Sequence, residues 1–201
     1  MMDAETHTLV RGQYGVSESS EVQLMAFFEP LIRDGLRPLS FTVDGNPQLT
    51  RVLRKLWPGV AVQRCLIHIQ RQGLLWCRNY PKTAYARKLR DLFLQVIQVR
   101  TKTDRDVFLE AVREWEAMYG HEIAAKPEIG PVFSDVKRAR SMLLRALPDM
   151  FHYLDDPHIP ISTNGLEGYF SRLKLRYRQH RGMSKGNLAS YFHWYFYLVP
   201  K

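Results

Sequence analysis

The stretch Leu39-Ser40-Phe41-Thr42-Val43-Asp44-Gly45-Asn46-Pro47 decides the fold class. A short apolar, β-branched run ends on an acid, and Asp-Gly then breaks the strand. Asn-Pro opens a helix, because proline suits a first helical position. Leu49, Val52, Leu53 and Leu56 share one face of that helix, and Trp57-Pro58-Gly59 turns the chain into another strand-like run over residues 60–67. Upstream, residues 6–16 read as a strand, and Ser17-Glu18-Ser19-Ser20 supplies caps for a helix over residues 21–33 with Leu24, Phe27, Phe28 and Leu31 at helical spacing. Strand, helix, strand, helix, strand predicts an α/β fold with a sheet that is at least partly parallel.

Beyond residue 70 the period changes. Apolar residues follow the helical repeat over 84–99, again at Phe108, Val112, Trp115 and Tyr119, and again over 136–147. Breaks fall at residues 127–131 and 155–160, after which 164–178 and 185–198 read as two closing helices. The expected organisation is a core portion over 1–69, a large all-helical insertion over 70–160 and carboxyl-terminal core helices over 161–201.

A chain of 201 residues, 45% hydrophobic and 12% aromatic, can bury a substantial core. Its formal charge of +9 favours polyanionic partners, DNA first among them. The two cysteines, Cys65 and Cys77, are too few for a disulfide framework, and no leader pattern precedes the first strand-like run, so a cytoplasmic protein is expected. No apolar run approaches the roughly 20 residues that span a bilayer, so no membrane association is expected.

Two acids stand out. Asp44 ends a strand, where ligands of open α/β sheets bind, although Asp-Gly is also a common turn. Glu167 sits one turn into the helix opened by Ser162-Thr163-Asn164, where Asn164 and Glu167 match a capping box. That helix continues into Arg172, Lys174, Arg176, Arg178, Arg181 and Lys185, with Tyr169, Phe170 and Tyr177 interleaved. The cations suit DNA phosphates or a solvated face, whereas the aromatics read as core. Cys65-Leu66-Ile67-His68 supplies two of the four ligands usual at zinc, and no second pair follows, so Cys65 reads as a buried small residue and His68 as a hydrogen-bonding residue at a strand's end. Carboxylates carried by a strand end and by a distant helix are the donors that two-metal phosphodiester chemistry uses.

Taken in order, Phe41-Thr42-Val43-Asp44-Gly45, Pro58-Gly59 through Gln63-Arg64-Cys65-Leu66-Ile67-His68, Ser162-Thr163-Asn164-Gly165-Leu166-Glu167-Gly168 and His180-Arg181-Gly182-Met183 resemble the Mutator-type transposases of bacterial insertion sequences. The resemblance implies a ribonuclease H-like catalytic core in which three acids, Asp, Asp and Glu, hold two Mg²⁺ or Mn²⁺ ions for DNA cleavage and strand transfer. Asp44 matches the second acid and Glu167 the third, both as metal ligands. Cys65 and His68 match a Cys-x-x-His signature that supports the site, together with Asn164. The implied partners are transposon and target DNA and a second transposase copy, either this chain or a full-length one.

The family's first acid lies on an opening strand ahead of residues 6–16, and Asp3, in a polar start 41 positions before Asp44, is not assigned its role. The expectation is therefore an amino-terminally truncated core with little or no nuclease activity of its own. Its alternative is a non-catalytic DNA-binding remnant or regulator of a full-length transposase.

Overall fold

The computed structural model describes residues 1–127, 134–180 and 182–200. These form eight α-helices and two short strands, so the protein is mostly helical with a small parallel sheet. The chain divides into two compact units, Met1–Val62 with Ser162–Lys201, and Gln63–Ile161.

In the first unit, α1 (Glu21–Arg33) is capped by Ser20, whose side chain accepts from the Gln23 amide. It leads to β1 (Ser40–Val43), α2 (Pro47–Leu56) and β2 (Ala61–Arg64), the last crossing the boundary between the units. β1 and β2 pair directly, and the helix between them makes a parallel connection sterically natural. Leu24, Phe28 and Leu31 of α1 meet Val52, Leu53 and Trp57 over the strand residues Val43 and Val62. Phe28 lies edge-on to the Trp57 ring, at 5.7 Å between centroids, and Trp57 Nε1 donates to the Leu36 carbonyl. The indole thus buries its apolar body without stranding its N–H.

The same unit ends in α7 (Asn164–Arg178) and α8 (Lys185–Leu198). Tyr169, Leu173 and Tyr195 are buried together with Leu9. Tyr169 donates to the Val199 carbonyl at 2.8 Å, and burial pushes its phenol up to about 12.

Residues 6–16 are not a strand. The Asp3 carboxylate accepts from the Glu5 and Thr6 amides and the Thr6 hydroxyl, which folds the start into a turn, and Met2 and Leu9 make one isolated antiparallel bridge. The Leu9 amide donates to Pro200 and the Val10 amide to Met1, so local and carboxyl-terminal partners take the backbone groups a sheet would have used.

The second unit is helical: α3 (Leu66–Cys77), α4 (Ala84–Gln95), α5 (Lys102–Ala124) and α6 (Asp135–Ala146), with short 3₁₀ turns between. The run 60–67 is therefore strand only to Arg64, and the chain then turns into α3, which carries His68 on a helix rather than at a strand's end. The apolar residues 65–67 satisfy a buried helix face as well as a strand, and the helix wins because Leu66 and Ile69 both reach the core of this unit. α3 lies against α4 through Gly73, where an added Cβ would fall 2.2 Å from the fully buried Phe93 ring. A capping box at Thr101 and Asp104 starts α5, and Arg140 of α6 grips the Glu116 carboxylate with two bonds of 2.7 and 2.6 Å. The buried amide of Gln63 donates to the Arg64 and Met150 carbonyls and accepts from the Tyr153 amide, tying the end of β2 to the turns after α6.

Candidate functional site

Asp44 follows the last residue of β1 and is exposed. Its Oδ1 accepts from the Asn46 amide at 3.2 Å, while Asn46 Oδ1 accepts from the Gln48 and Leu49 amides and so caps α2. Gly45 between them has φ +103°, a conformation that side chains rarely adopt. Strand end, acid and helix start are thus fixed by one four-residue turn whose glycine the backbone requires. The capping residue Asn46 also holds Asp44, which the sequence signals through Asp-Gly-Asn-Pro.

Glu167 lies in the first turn of α7, where the helix dipole favours a carboxylate. The capping box expected at Asn164 does not form. Thr163 is the N-cap and makes no side-chain bond to the helix amides; instead its hydroxyl donates to Glu167 Oε1 at 3.1 Å. Asn164 is the first helical residue, exposed, with its amide toward Ser162 Oγ. Thr163 was missed as a buttress because the capping-box reading gave the cap to Asn164, one residue after the true N-cap, although the helix spans 164–178 as expected. Gly165 accommodates His7, whose ring nitrogen would lie 2.8 Å from an added Cβ. Asp44 and Glu167 belong to the same compact unit.

Past Glu167, α7 exposes Arg172, Lys174, Arg176 and Arg178, and Lys185 opens α8 exposed as well; Arg181 lies outside the described residues. The Arg172 guanidinium stands over the Tyr169 ring at 6.0 Å and that of Arg176 over Tyr195 at 5.8 Å. The interleaved aromatics are structural: Tyr169 is buried, and Tyr177 packs on Tyr191 and Phe192. Cations are therefore displayed on a rigid aromatic helix pair. A cavity of about 240 Å³ beside it is lined mainly by Tyr14, Phe170, Leu173, Tyr177, Phe192 and Phe196. Neither candidate acid lines that cavity.

In the second unit Cys65 is the buried N-cap of α3 and His68 its third residue, so the Cys-x-x-His spacing is one helical turn. His68 Nδ1 and Cys65 Sγ are 3.2 Å apart, a side-chain hydrogen bond across the first turn, while the Cys65 side chain caps no helix amide.

The geometry thus defines a small parallel α/β portion with an acid at a strand end, a second acid on a basic helix, and a long helical segment between them in sequence. Residues 10–183 match the family model described as "Transposase, Mutator family", and the chain belongs to that family of transposases. Neither the curated proteins nor the solved structures give a match.

Proposed function

We propose that the chain acts in DNA transposition, with Asp44 and Glu167 as two of the three acids of a ribonuclease H-like site for DNA strand cleavage and strand transfer. The observation that carries this reading is that one compact unit holds both a strand-end carboxylate bonded by the Asn46 amide and a helix-borne carboxylate bonded by the Thr163 hydroxyl and followed by an arginine-rich exposed face. Family membership supplies the reaction class.

Carboxylate oxygens are hard donors that suit Mg²⁺ or Mn²⁺, and Asp44 and Glu167 would hold the ions. When bound, such a pair activates the attacking water or 3′-hydroxyl and stabilises the leaving oxygen. The chain's own residues supply position and charge. Asn46 and Thr163 each fix one oxygen of their acid, and Arg172, Lys174, Arg176, Arg178, Arg181 and Lys185 neutralise backbone phosphates so that DNA stays over the site. Cys65 and His68, bonded to each other, hold the first turn of α3, which follows β2 directly.

The test is nicking of supercoiled DNA with Mg²⁺ or Mn²⁺ by the chain and by its Asp44→Ala and Glu167→Ala variants. Nicking abolished by either substitution supports the reading. DNA binding without nicking under the same conditions assigns the chain a DNA-binding or regulatory role instead.

A further inference from the structure

The corner between α3 and α4 carries chemistry that the site above does not use. From Gly45 to Arg90 the sequence has no aspartate or glutamate and ten lysines and arginines. Within the second unit this acid-free run builds α3, the turn at 78–83 and the first half of α4. Arg71 and Leu75, four residues apart, share one exposed side of α3, and Arg78 follows as its C-cap, exposed as well. The turn then presents Tyr80, 92% exposed, and Lys82 to solvent. Asp91, the first acid after the run, lies instead in a shallow pocket with Glu114, Trp115 and Met118 of α5.

The turn is braced rather than loose. Arg87 Nη1 donates to the Pro81 and Lys82 carbonyls at 3.3 and 2.8 Å, and Arg90 Nε donates to the Arg78 carbonyl at 3.1 Å. Arg78 has φ +65°, which a non-glycine residue adopts only where its surroundings impose it. Arg78 also stands 3.6 Å from Asp135, yet its side chain stays 77% exposed. A ring held almost wholly in water adds nothing to the unit's own core. Cations beside such a ring match a ligand that offers both phosphates and stackable faces.

We propose that the α3–α4 corner is a second DNA-contacting surface, with Arg71, Arg78 and Lys82 on backbone phosphates and Tyr80 stacked on an unpaired base. This rests on the reading of the chain as a DNA-handling protein and adds a surface separate from α7 in sequence and in unit. It also assigns the surface a substrate feature, a single-stranded segment next to duplex, such as strand cleavage produces.

The experiment measures binding of the full chain, by fluorescence anisotropy across a range of KCl, to a labelled blunt duplex and to the same duplex with a single-stranded overhang. The double variant Arg71→Ala/Lys82→Ala is expected to lose about tenfold in affinity for both and to flatten the log–log salt slope by about 2. Arg78→Gly, which suits the positive φ, should flatten it by about 1. Tyr80→Ala should weaken only the overhang duplex, by about fivefold or more, and Tyr80→Phe should retain binding. Circular dichroism and melting identify any variant that misfolds. Unchanged affinity and slope in both charge variants, or equal loss in Tyr80→Ala and Tyr80→Phe, would overturn the proposal. If the unaltered chain binds DNA but ignores these substitutions, the corner fails and the Asp44–Glu167 reading stands; if it binds neither DNA, both fail.

Discussion

The Thr163 hydroxyl donates to Glu167 Oε1 at 3.1 Å, and Thr163→Val removes that donor while keeping the side chain's shape. If Glu167 is a metal ligand, the variant should fold normally and lose about tenfold or more in metal-dependent nicking, with Thr163→Ser restoring most of it, since misplaced catalytic groups cost on that order. Equal activity in Thr163→Val and the parent would show that the hydroxyl does not position the acid. Two glycines give predictions of opposite sign. Gly73→Ala drives a methyl into the Phe93 ring and should destabilise the protein by about 2 kcal/mol, read from the urea midpoint. Gly186 in the first turn of α8 has nothing within 4 Å of an added Cβ, so Gly186→Ala should be neutral or stabilise by up to about 1 kcal/mol. No sequence rule separates the two; only the ring opposite Gly73 does.

At the scale of elements, helices with both a cap and a clean apolar period were legible. Ser20 before α1 and Asn46-Pro47 before α2 start these helices where the sequence places them, and α8 also begins at Lys185 as read, with Ser184 as the cap the structure supplies. The strand-like readings fared less well. Residues 6–16 have the apolar content of a strand, but a strand needs a partner, and Asp3 and Pro200 satisfy the backbone instead. The run 60–67 mixes a true strand with the first turn of α3, because apolar residues buried on either element look alike over so short a span. Asn46 serves two elements at once, so Asn46→Ala should cost about 1 kcal/mol of stability through the lost α2 cap, while Asn46→Asp should recover most of it. On α7, replacing Arg172, Lys174, Arg176 and Arg178 with alanine should weaken duplex binding and flatten its salt slope by about 4 if each neutralises one phosphate. An unchanged slope would leave these side chains a solvated face.

For the whole molecule, the two largest shifts at the alkaline end share one sign. Burial raises the Cys77 thiol from 9.0 to about 12 and the Tyr169 phenol from 10.0 to about 12. Between pH 9 and 12 the unfolded chain has lost protons that the folded protein keeps, so stability falls as pH rises through that window and is fully present below it. The urea midpoint should begin to drop near pH 9, and in Cys77→Ala the onset should move up toward pH 10, where Tyr169 takes over. A midpoint flat from pH 9 to 11 would mean that these groups titrate alike in both states.

The sequence by itself determined the helical character of the segment after residue 70, the strand-end position of Asp44, the first-turn position of Glu167 and the family, because periodicity, caps and motif order are local properties of the chain. The tertiary structure decided what those residues touch. It put Thr163 rather than Asn164 on Glu167, closed Cys65 onto His68 across one helical turn, folded the start of the chain into a turn instead of a strand and held Tyr80 out in solvent. Each depends on where a helix begins or on which distant group satisfies a backbone amide, and neither is written in the spacing of residue types.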